Sequence, residues 1–126
     1  MKIVPLFLSA ALLVVPAAAQ ERPSLTLEHR MLLRCSAAFA IVAGEQQRGV
    51  ATALAYPPLA ERGREYFARA GARLMDELQL SREQAEAQMR TEAQAIQKAA
   101  NEAPDRAAYI DTLVRPCLSA LDASGL

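Results

Sequence analysis

Two cysteines constrain this chain more than any other feature, and what they can do depends on where the chain folds. Cys35 and Cys117 are the only cysteines in 126 residues and stand 82 positions apart. An oxidising compartment closes such a pair into a disulfide, whereas a reducing one keeps both as thiols. The start of the chain decides between the two. Met1 and Lys2 form a minimal positive region, Ile3 to Val15 is an apolar run, and Pro16-Ala17-Ala18-Ala19 supplies the small residues of a cleavage site ahead of Gln20. The run is shorter than the roughly 20 residues a membrane-spanning helix needs, and polar Gln20, Glu21 and Arg22 follow at once. Residues 1–19 therefore read as a signal peptide and residues 20–126 as a single exported, periplasmic domain without stable membrane insertion after cleavage.

Export predicts that Cys35 and Cys117 pair, since two cysteines allow one pairing only. A loop of this length contributes about 4 to 5 kcal/mol on a chain-entropy estimate, less any strain. A redox or metal role would call for C-x-x-C or a cluster of histidines, and neither is present. No cofactor is implied, and no metal site.

The composition favours helices. Hydrophobic residues make up 52% of the chain, much of it alanine, while aromatics are only 5% and tryptophan is absent. Such a core is built from Leu, Ile, Val, Met and Ala at close approach, which suits helices better than strands rich in β-branched residues. Basic and acidic residues balance at 14 each. That balance offers no polyanion-binding surface and argues against nucleic acid as a partner.

Hydrophobic periodicity then divides the mature chain. From Ser24 to Arg48, Met31, Cys35, Phe39 with Ala38, and Val42 recur every three or four residues, giving a first long helix with Cys35 on its apolar face and Ser24 as its cap. Val50 to Tyr56 is ambiguous between a short helix and an extended connector, and Pro57-Pro58 ends it. A second long helix is predicted over Pro58 to Gln79, with Leu59, Gly63, Tyr66, Phe67, Ala70, Leu74 and Leu78 inward. Ser81-Arg82-Glu83-Gln84 has the form of a capping box and starts a third, which runs to about Asn101. Its stripe, Ala85, Met89, Ala93, Ile96 and Ala100, is thin and should bury little area, making this the least firmly packed helix. Pro104 and Asp105 start the last helix, and Pro116 should kink or restart it just before Cys117. Short links favour an all-α four-helix bundle or a similar compact helical array with one disulfide.

Candidate chemistry is sparse. His29, the only histidine, reads as a surface residue beside Glu28 and Arg30, without a nucleophile or orienting acid in any recognisable frame. Carboxylate pairs such as Asp76-Glu77 and Glu83/Glu86 lack the glycine turn and close oxygen spacing of a calcium loop. The positive signal is the alanine-rich third helix. Ala85, Met89, Ala93 and Ile96 present small side chains that suit either a partner helix, on another protein or a second copy, or simple completion of the bundle.

With the leader, the segments Arg34-Cys35-Ser36-Ala37-Ala38-Phe39 and Arg115-Pro116-Cys117-Leu118 resemble the small secreted all-helical two-cysteine proteins of alphaproteobacteria. That resemblance implies a periplasmic home and no assigned activity. A looser one is to the periplasmic acid-stress chaperones, which are also small, helical and closed by one disulfide between an early and a late cysteine. The expectation is a non-enzymatic protein acting through protein–protein contact. Its rivals are a carrier of a small apolar ligand between helices and an acid-stress chaperone.

Overall fold

The computed structural model describes residues 23–126, so the expected signal peptide lies outside the described residues. Those residues form four long helices and one single-turn helix: α1 (Leu27–Gln47), α2 (Ala51–Leu54), α3 (Arg62–Leu78), α4 (Arg82–Glu102) and α5 (Arg106–Ala123). The fold is all-α, and the Cys35–Cys117 disulfide closes it with the two Cα atoms 5.2 Å apart.

The first helix is the element on which the other long helices pack. Cys35, Ser36, Ala37, Ala38 and Phe39 are buried in succession, more than a full turn, because α3, α4 and α5 all pack against it. A helix segment covered from several sides must be apolar around most of its circumference, and the small side chains at 35–38 let the neighbours come close. The expected amphipathic stripe is thus correct for Cys35, Phe39 and Val42, whereas Met31 faces outward. Thr26, not Ser24, caps the helix; its Oγ1 accepts from the His29 N–H at 3.2 Å.

The ambiguous segment forms the single turn α2, which buries Ala53. Gln46 holds this region to α1. Its Nε2 donates to the carbonyls of Ala53, Tyr56 and Pro57 at 3.1, 3.3 and 3.0 Å, and its Oε1 accepts from the Leu59 N–H at 3.0 Å. With Leu59 held this way and fully buried, α3 begins at Arg62, later than Pro58. Gly63 then lets α3 settle on α1: a Cβ there would stand 3.1 Å from Phe39 Cβ. Phe39 and Tyr66 meet edge to face at this crossing, ring centroids 5.2 Å apart. Gln79 closes α3 in the left-handed conformation, φ 53°, and the Leu80 N–H returns to the Met75 carbonyl.

Ser81 and Gln84 form the expected capping box, with reciprocal hydrogen bonds of 3.1 and 2.9 Å. From there α4 lies against α1, α3 and α5 and packs most extensively on α1. The thin alanine stripe does not make it a loose helix, because small residues allow close approach along its length. Asp105 caps α5 by accepting from the Ala108 N–H at 3.0 Å. The last helix continues through Pro116 without restarting. Thr112, whose carbonyl loses its helical partner there, is exposed, as is Pro116, so water can take the lost bond.

Candidate functional site

The residues singled out from the sequence fall into two groups. Cys35 and Cys117 are joined at the centre of the molecule and buried. Ala85, Met89 and Ile96 belong to the interior, and Ala93 packs partly buried against it. These side chains lie between α4 and the helices it packs on, so the stripe contributes to the bundle's own interior.

His29 also departs from expectation: it is only 5% exposed. Its Nδ1 accepts from the Thr26 N–H at 3.1 Å, and its Nε2 donates to Glu77 Oε2 at 2.7 Å. Both ring nitrogens are committed. Glu77 Oε1 in turn accepts from Arg73 Nε at 2.7 Å, and Arg73 Nη1 donates to Glu28 at 2.5 Å. Hydrogen bonding and charge from Arg73 hold the Glu28 carboxyl below the usual carboxylate range; Arg73, then His29, does the same for Glu77. The sequence signal for this clasp is Thr26-x-x-His29, a capping box in which histidine takes the usual Glu or Gln place.

A second polar seam joins the end of α1 and the segment after α2 to α5. Tyr56 donates to Asp111 at 2.8 Å, Arg115 donates to the other oxygen of Asp111 at 2.5 Å, and Glu45 pairs with Arg106. Burial, then the bond to Asp111, pushes the Tyr56 hydroxyl up to about 12. Arg115, with Tyr56, holds the Asp111 carboxyl low. These groups are tied to one another, as structural links are. Among the described residues, no group of three or more His, Cys, Asp or Glu side chains is gathered as for a metal, and no helix is long and apolar enough to cross a membrane.

What faces outward is one side of the first two turns of α1. Leu27, Arg30, Met31 and Arg34 follow the i, i+3, i+4, i+7 spacing of one helix face, and all four are exposed. Leu27 is 76% and Met31 37% exposed, and Leu25, just ahead of the cap, is exposed beside them in sequence. The face ends at Arg34, because Ala38 and Ile41, next along it, are buried. Among the described residues neither arginine is in an ion pair. The result is a short surface of large apolar side chains interleaved with two uncommitted positive charges.

No family model matches the chain, and no curated protein or solved structure matches it significantly.

Proposed function

We propose that this chain is an exported, periplasmic protein that acts by contact with another protein rather than by turnover. The observation that carries the reading is the outward face of α1, where Leu27 and Met31 meet water between Arg30 and Arg34. Burying a leucine or methionine side chain is worth about 1.5 to 3 kcal/mol. A partner covering this face gains most of that term at Leu27, a smaller part at the already half-covered Met31, and can place carboxylates against the two arginines. The partner chemistry that fits is an acidic amphipathic segment. A bilayer surface fits less well, since the face spans only about 10 Å of helix, too short to lie along an interface as membrane-binding helices do. The commitment of both His29 nitrogens to structural hydrogen bonds supports a role without acid–base turnover.

The test is capture from the cell envelope by the mature protein, run beside L27E/M31E and R30E/R34E variants and beside flotation with anionic vesicles. A protein partner retained by the wild type in saturable amount and lost with both variants supports the proposal. Retention by either variant, or flotation with vesicles and no protein partner, overturns it.

A further inference from the structure

A second feature is the exposed side of α3. Phe67, which the spacing places inward, is 36% exposed. With Gly71 and Met75, each one turn further on, it borders an open groove of about 240 Å³ between α3 and α4. Ala68 and Ala72 continue the same surface, both of them exposed, and no charged residue of α3 lines the groove.

Charge stands instead at the two ends of this face. Arg64 lies one turn before Ala68 and Asp76 one turn after Ala72, about 18 Å apart along the helix. Both are exposed, and among the described residues neither makes an ion pair. The charges beside them are spent within α3, Glu65 on Arg69 and Glu77 on Arg73. Arg82 and Glu86, in the first turns of α4, border the groove where α4 follows on from α3, and neither of these is paired within the described residues. Asp76, Glu86 and Arg82 together leave that end one negative charge in excess, against the positive charge of Arg64.

Such a face is complementary to itself. An antiparallel two-fold pairing of α3 with α3 of a second copy lays each Arg64 against the acidic end of the other, and the symmetry makes that contact twice. The same operation sets Ala68 against Ala72, so the two helices approach closely. It also brings Phe67 of each copy over Gly71 and Met75 of the other, ring against thioether, which is a favourable contact. Rows of residues four apart run alongside one another when helices cross at about 50°, the commonest packing of two helices.

We infer that the exposed side of α3 is the interface of a reversible, antiparallel homodimer. One pair of helices buries less area than the interfaces of permanent dimers, so monomer and dimer exchange. The dimer leaves the outward face of α1 free.

Sedimentation equilibrium of the mature, oxidised protein tests this, with a monomer–dimer Kd of about 100 µM or tighter expected. Arg64→Glu alone, and Asp76→Arg together with Glu86→Arg, should each weaken the dimer at least about tenfold, because like charges then face one another. An equimolar mixture of these two variants should recover association at the wild-type level, since each carries the charge that the other lacks. Ala72→Lys, at an exposed position in the centre of the face, should abolish the dimer with helical circular dichroism retained. L27E/M31E should leave it intact. A wild type that is still monomeric at about 1 mM overturns the inference, whether its α3 face is bare or is taken in the cell envelope by a different protein. So does a dimer that is indifferent to the charge variants or to Ala72→Lys, that their mixture fails to restore, or that L27E/M31E disrupts.

Discussion

Nε2 of His29 stands 2.7 Å from Oε2 of Glu77, joining the first turn of α1 to the last turn of α3. The same imidazole returns a bond to the Thr26 N–H, so a single buried side chain caps one helix and ties it to another. His29→Ala removes both links and leaves a void, at a cost of about 1 to 3 kcal/mol. His29→Gln keeps the reciprocal cap and loses only the tie to Glu77, so its cost should be the smaller. Urea unfolding of the two variants gives the comparison directly; equal losses would mean that the cap, not the tie, is irrelevant to the histidine's contribution.

Acid should loosen the same region. Glu28, Glu77 and Asp111 are held below their ordinary values chiefly by hydrogen bonds from Arg73 and Arg115. A carboxyl whose folded pKa is depressed adds stability that is fully present above its unfolded value and is lost as pH falls through the folded one. Stability should therefore be level above about pH 5 and fall progressively as the pH is lowered further. Arg73→Ala should flatten that decline by removing the contribution of Glu28 and Glu77. Urea midpoints measured from pH 7 down to 3 check both statements, and a wild-type profile with no acid decline would contradict them.

Two glycines of α3 should respond oppositely to alanine. Helix propensity favours alanine at both by about 1 kcal/mol. At Gly63 the new Cβ would stand 3.1 Å from Phe39 Cβ, an atom fixed to the α1 backbone, so α3 must shift and overpacking of about 1 to 3 kcal/mol outweighs the gain. At Gly71 the nearest atom is the flexible end of Met89 at 3.8 Å, an ordinary contact. Thermal unfolding should show Gly63→Ala destabilised and Gly71→Ala stabilised.

Reduction should be the largest single perturbation. Cys35 and Cys117 close most of the described chain into one loop, and removing that constraint costs about 4 kcal/mol on the entropy estimate. For a domain of this size that corresponds to a fall in Tm of roughly 15 to 30 °C. A C35A/C117A variant should match the reduced wild type to within the added packing loss. A Tm unchanged by reductant would contradict the assignment.

What the sequence disclosed followed from local pattern. The Ser81–Gln84 box is complete within four residues, and two cysteines have one possible pairing within the chain. The interior and exterior of α1 are only half legible, because Met31 continues the spacing of Cys35 and Phe39 yet is left 37% exposed where they are fully buried. Likewise an alanine stripe looks the same whether it covers a neighbour in the bundle or a partner outside it, and only the packing on α1 decides that Ala85, Met89 and Ile96 are interior. Gln46 and His29 were missed for a related reason. Their partners, Leu59 and Glu77, lie 13 and 48 positions away and carry no periodic signal.

Photo-crosslinking in the intact cell envelope shows whether the outward face of α1 is a contact surface. A photoreactive residue replacing Leu27 or Met31 should give one discrete protein adduct, while the same group at exposed Gln94 or Ser119 gives none. No adduct from Leu27 and Met31, or adducts of equal yield from all four positions, would contradict it.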